Sequence, residues 1–315
     1  MDYLTAAALL QEQDCILILT HCRPDGDTIG CGAALCHALR ALGKTAYVLP
    51  NEEAHGLFTP YLEGVLAPEA FQPAFVVTVD TASQGLFPAS AAPYRDQVDL
   101  SLDHHGTNEQ YAKETCVDPS CAACGELLFQ IIHEQWHALT PQIALLLYMA
   151  IATDTGCFAY SNTTPQTHRI VAELMETGFD HQWVNKRHFR TKTFKRLQLE
   201  SFIVRDMELY DEGTIAFACV TLDMMASLRA TEEDAEDISA FVGQVEGVRY
   251  AVTLRELAPG KCKISLRTDA SLNAATVCAL FGGGGHPAAS GCTIQGTVAA
   301  AKASMLEGIR RVLHG

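Results

Sequence analysis

The chain has 315 residues, 48% of them hydrophobic, which is enough for about two domains with cores of their own. Its formal charge of −15, from 22 basic and 37 acidic side chains, excludes a protein that coats long nucleic acid through many lysine and arginine contacts to phosphate. No apolar run reaches the roughly 20 residues needed to span a bilayer.

The first residues, MDYLTAAALLQEQD, lack a basic segment followed by an apolar signal core, so a cytoplasmic protein with no membrane partner and reduced thiols is expected. An apolar run at 15–20 reads as a strand, 28–42 as a helix and 45–49 as a strand. Further strands are expected at 75–79 and 98–102, with helices at 122–137 and 141–153. This alternation predicts an α/β fold whose first half is a parallel sheet covered by helices. Cys121 and Cys124 form a solitary C-x-x-C without a second pair or spaced histidines, so they read as incidental thiols rather than zinc ligands.

From 163 to 195 the sequence is polar and helical, with Pro165 at a helix start and Gly178 near a helix end. Lys186, Arg187, Arg190, Lys192, Lys195 and Arg196 read as a solvated face. The expected division is a first domain at 1–190, a linker at 191–200 and a smaller α/β domain at 201–315. Within the second, strands are expected at 214–221, 249–256 and 262–268, and helices at 232–242, 274–281 and 298–313.

The chemistry-bearing residues follow the strands of the first half. His21, Asp25 and Asp27 occupy the turn H-C-R-P-D-G-D after the first strand, where Pro24 limits the backbone and Gly26 permits an unusual one. Asp80 ends the 75–79 run, Asp103-His104-His105 ends the 98–102 run, and Asp154 ends the helix at 141–153. A lone Asp after a strand is commonplace, and so is a pair of surface histidines. Repetition at one sheet edge, where open α/β sheets bind ligands, gives the set its meaning. His21, Asp25, Asp27, Asp80, His104 and Asp154 form a mixed nitrogen and oxygen donor set suited to Mn²⁺. The GGGGHPAASG run at 282–291 can point backbone N–H groups at an anion, with His286 as an added donor.

H-x-x-P-D-G-D-x-x-G, the Asp after the next strand, D-H-H and the later D-T-G resemble, in order, the motifs of the DHH phosphoesterase family. The run at 282–291 is similar to the glycine-rich signature of the substrate domain associated with that family. The resemblance implies that the first domain is the catalytic metal-binding domain and that the active site lies in the cleft it forms with the second. It also implies two divalent ions, Mn²⁺ with Mg²⁺ as the alternative, one held by His21, Asp25 and Asp80 and the other by Asp27, Asp80, His104 and Asp154. His105 would lie beside the reacting phosphate and Asp103 would orient the imidazoles. Arg267, in S-L-R-T, together with Gly282, Gly283, Gly284, Gly285 and His286, would bind substrate. The function implied is hydrolysis of very short RNA, pApA or 3′-phosphoadenosine 5′-phosphate (pAp). A cyclic di-AMP phosphodiesterase is the alternative, and a non-catalytic nucleotide sensor is the contrasting class. The expected partner is therefore a short RNA or small nucleotide; the oligomeric state is left open, a homodimer included.

Overall fold

The structure, a computed structural model, describes residues 1–54, 56–231, 233–235, 238–269 and 271–314. It divides into two compact units, Met1–Thr191 and Lys192–Gly315.

In chain order the first unit contains α1 (Tyr3–Glu12), β1 (Ile16–Leu19), α2 (Gly26–Ala41), β2 (Ala46–Val48), β3 (Phe75–Val79), β4 (Leu100–Asp103), β5 (Glu114–Val117), α3 (Cys124–Phe129), α4 (Pro141–Asp154), α5 (Pro165–Glu176) and α6 (His181–Asn185). The five strands pair in the order β2-β1-β3-β4-β5, all parallel. β1 (ILIL) and β3 (FVVTV) are buried along their whole length, which is why they read as continuous apolar runs rather than alternating ones. One face of the sheet is covered by helices: Ile29, Leu35 and Leu39 of α2 share a core with Leu147 and Ile151 of α4. The other face departs from the expected helical cover. There Leu17, Leu19, Val76 and Val98 are closed over by Phe87 and Ala91, in and beside two tight turns, Gln84–Leu86 and Ala89–Tyr94.

Two local details differ from the expectation. The helix expected over 122–137 stops as an α-helix at Phe129 and continues as a π-turn, Gln130–Gln135. Gly26 does not supply an unusual backbone, being the first residue of α2. It supplies room, because a Cβ there would lie 2.3 Å from the Thr153 Oγ1 of α4.

The second unit contains α7 (Phe194–Asp206), β6 (Glu208–Tyr210), β7 (Ile215–Val220), α8 (Leu222–Leu228), α9 (Ile238–Val242), β8 (Tyr250–Ala258), β9 (Lys261–Thr268), α10 (Ala274–Ala279), β10 (Gly284–His286), β11 (Ala289–Gln295) and α11 (Val298–His314). Its sheet runs β10-β11-β9-β8-β7-β6, with only the β7–β8 pair parallel among the described strands. Part of the segment expected as a linker is regular structure. Thr193 caps α7, so 194–200 is helical and lies within this unit. Of the helix expected over 232–242, Glu233–Ala235 is a tight turn and Ile238–Val242 is α9, while Glu232, Glu236 and Asp237 lie outside the described residues.

Candidate metal centre

The chain runs from β1 out to β2 and then crosses to the other side of β1 to form β3, so the direction of winding reverses between β1 and β3. Side chains following the C-terminal ends of strands at such a point face a common crevice. The turn carrying His21 follows β1, Asp80 follows β3, and the Asp103-His104-His105 segment closes β4. Asp27 and Asp154 come from the first turn of α2 and the last residue of α4, which the small Gly26 allows to approach.

Asp80 is the centre of the group. It is 3% exposed and has a left-handed backbone, φ 52°, with its N–H bonded to the Leu102 carbonyl at 2.9 Å. The His21 Nε2 lies 3.5 Å from its Oδ2, and the His104 Nε2 3.4 Å from its Oδ1. The same His21 nitrogen is 3.7 Å from Asp25, and the same His104 nitrogen is 3.8 Å from both Asp27 and Asp154. All six residues of the expected donor set therefore come together, as two overlapping groups: His21 with Asp25 and Asp80, and His104 with Asp27, Asp80 and Asp154.

The imidazoles are oriented from behind. The His21 Nδ1 faces the Cys22 carbonyl at 2.8 Å and the His104 Nδ1 faces the Cys121 carbonyl at 3.3 Å. A carbonyl only accepts, so each ring donates from Nδ1 and turns Nε2 towards the carboxylates. Asp103, fully buried, accepts from the backbone N–H groups of His104 and His105, from Nδ1 of His105 at 2.7 Å and from the Asn108 amide at 2.7 Å. Asp27 accepts from the N–H groups of Cys124 and Gly125 at 2.7 and 3.0 Å and from the Cys31 thiol at 3.2 Å.

These surroundings split the titrations. Burial favours neutral His21, yet Asp25 and Asp80 outweigh it and raise its pKa to about 11. Burial opposes the charge on His104 too, and Asp80, Asp27 and Asp154 raise it to about 10. Burial pushes Asp27 well above the usual carboxylate range, helped by the charges of Asp80 and Asp154, and takes Asp154 to about 6. Asp103 is held low in spite of its burial by His105 and Asn108, and that same hydrogen bond raises His105. Oδ1 of Asp80 is buried without a hydrogen-bond partner among the described residues. An orphaned carboxylate oxygen faced by imidazoles and further carboxylates fits divalent cations of the oxygen- and nitrogen-preferring kind.

Several participants carry no sequence signal. Cys31, Asn108 and the Cys124 N–H are found only by folding, although Asn108 follows the D-H-H run closely enough for a turn to return it to Asp103. Cys121 and Cys124 are free thiols, like all the other cysteines of the described chain. In the second unit Arg267 is exposed near the end of β9, and the glycine run is not an open loop. Gly284 to His286 form the exposed edge strand β10, paired with β11. Gly283 is required by contact, since a Cβ there would meet the Gly291 carbonyl at 2.2 Å. The basic cluster is mostly tied down: Arg187 donates to the Leu57 carbonyl, Lys192 and Arg196 to Glu200, and Lys195 to the Arg229 carbonyl.

A parallel α/β unit with a clustered His and Asp donor set at its winding reversal defines the class of protein. The model of the DHH family N-terminal domain matches residues 15–151, and that of the DHHA1 domain matches 217–315. The chain is 33% identical over 296 residues to the bifunctional oligoribonuclease and PAP phosphatase NrnA of Thermus thermophilus, covering 93% of this chain and 88% of that one. The Bacillus subtilis protein of the same name is 26% identical, covering 89% of this chain and 90% of that one. Among solved structures, an exopolyphosphatase-related protein from Bacteroides fragilis shares the fold with a TM-score of 0.89 at 22% identity, covering 98% of this chain and 96% of that one. The chain belongs to the DHH family.

Proposed function

We propose that the chain is a two-metal phosphoesterase that hydrolyses very short oligoribonucleotides, pApA included, and pAp. The observation that carries this reading is Asp80, a buried carboxylate with one oxygen facing His21 and the other facing His104, so that it would serve both donor groups. His21, Asp25 and Asp80 would hold one ion, and Asp27, Asp80, His104 and Asp154 the other, with Mn²⁺ the expected metal. When bound, such ions acidify water and neutralise charge on phosphoryl oxygens.

The chain's own groups do the rest. His105 donates from Nδ1 to Asp103, which leaves Nε2 free to meet a phosphoryl or leaving oxygen. Asp103 raises the pKa of that ring and aims it, and Asn108 fixes Asp103 from its other oxygen. The choice of nucleotide rests on the names of the relatives, whose lengths the chain covers by 88% and 90%. In the second unit Arg267, Gly282, Gly283, Gly284, Gly285 and His286 are proposed to bind the substrate, with the guanidinium gripping phosphate.

Metal-free protein given Mn²⁺ or Mg²⁺ should release AMP and phosphate from pAp, AMP from pApA and nucleoside 5′-monophosphates from a five-nucleotide RNA, resolved by chromatography, with cyclic di-AMP as the fourth substrate. Turnover of cyclic di-AMP alone would move the assignment to a cyclic dinucleotide phosphodiesterase. No turnover of any of the four would leave a nucleotide sensor.

A further inference from the structure

We infer that Arg23 grips a second phosphate of the substrate, next to the one being cleaved, so that the first unit itself selects nucleotides carrying two phosphates. The inference rests on the phosphoester reading above. Arg23 lines a cavity of about 390 Å³ together with His21, Asp25, Asp80, His105 and Asp154, and it is the one arginine or lysine among the described residues that does so. A cavity of that size admits a nucleotide, not merely a phosphate.

The guanidinium is unspent. Arg40, Arg187, Arg205, Arg249 and Arg310 are each tied to a carbonyl or a carboxylate, whereas Arg23 makes no hydrogen bond or ion pair with another described residue. Its backbone is also held in a conformation that a side chain disfavours. Arg23 has φ 50° and precedes Pro24, in a turn fixed on both sides. The Cys22 N–H donates to the Leu86 carbonyl at 2.6 Å, the Asn51 amide donates to the His21 carbonyl at 2.9 Å, and Asp25 caps α2. Strain of this kind persists where the surroundings over-determine it, and it concentrates at ligand clamps.

Charge supplies the reason for a clamp. The carboxylates of Asp25, Asp27, Asp80 and Asp154 balance the charge of two divalent ions, so a filled centre has no positive surplus to meet a further phosphate. Arg23 is a permanent cation beside it, with a planar fork that matches two phosphate oxygens.

The test compares pAp with 3′-AMP, which differ only in the second phosphate, on manganese-loaded protein. Arg23→Gly removes the fork and suits the backbone angle, and Arg23→Lys keeps the charge alone. Calorimetric binding and steady-state kinetics should show Arg23→Gly weakening pAp about tenfold or more, in KM rather than kcat, while 3′-AMP changes by less than about twofold. Arg23→Lys should recover part of the loss. Bound manganese and the thermal midpoint should not fall. Equal effects on both ligands, unchanged affinity for pAp, or loss of manganese would overturn the inference. Binding of pAp without turnover by the unaltered protein would sink the phosphoester reading and leave the binding comparison to decide Arg23.

Discussion

At the scale of single residues, the arrangement separates groups that face the cavity from groups that hold them. Asp80→Ala should abolish activity and metal content together while the chain stays folded; a metal-replete variant would show that Asp80 does not bridge. Asn108 touches Asp103 rather than any proposed ligand or substrate. Asn108→Ala should therefore lower kcat by roughly 10–100-fold with bound metal retained, and shift the acid limb of the rate profile as His105 loses its fixed partner. An unshifted profile would reduce Asn108 to a structural role. The donor set was legible because His21, Asp25, Asp27, Asp80, His104 and Asp154 are each tied to the end of an element that patterning reveals. Cys31 and Asn108 were not, since one is a buried helical thiol and the other a loop amide whose partners exist only after folding.

At the scale of elements, the centre depends on how closely α2 and α4 approach. Gly26→Ala would drive a methyl into Thr153 and should destabilise the protein by about 1–3 kcal/mol in urea unfolding. Asp27 and Asp154 sit on those two helices, so the same variant should also bind manganese more weakly. Full stability would mean that α4 yields without cost. The strands β1 and β3 were readable as buried apolar runs, and the start of α5 from its proline, whereas the Thr164 cap emerges only in the structure. β5 was not, because ETCV is a partly exposed edge strand with little apolar pattern. β10 escaped for a related reason: glycine carries no β-strand signal, and its pairing with β11 comes from close backbone approach.

For the whole molecule, protons and metal compete for one set of atoms. In the metal-free protein His21 and His104 keep their protons up to about 11 and about 10, against an ordinary histidine value of 6.5. A folded-state value raised above the unfolded one adds stability that is complete below the unfolded pKa and is lost as pH climbs through the folded one. Metal needs bare imidazole nitrogens, so its contribution moves the opposite way. The thermal midpoint of chelator-treated protein should fall between about pH 7 and about pH 10, and the increment on adding Mn²⁺ should grow over the same interval. Calorimetry near neutral pH in buffers of different ionisation enthalpy should register release of at least the two imidazole protons. A constant increment and no proton release would mean that the histidines are not ligands. No helix among the described residues is long and apolar enough to cross a membrane.

The donor set also has a consequence for synthesis. His21 and Asp154 bracket it in sequence, with all five strands of the first sheet lying between Ile16 and Val117. A ribosome-bound chain that has exposed the sheet but not yet α4 lacks the donor on which the second group depends. The second group is therefore completed only after every strand of the sheet has been made, and an ion held there would lock a unit whose strands are already present. Nascent chains arrested before Asp154 emerges should stay sensitive to protease whether or not manganese is supplied, and those arrested well beyond it should gain resistance from the metal.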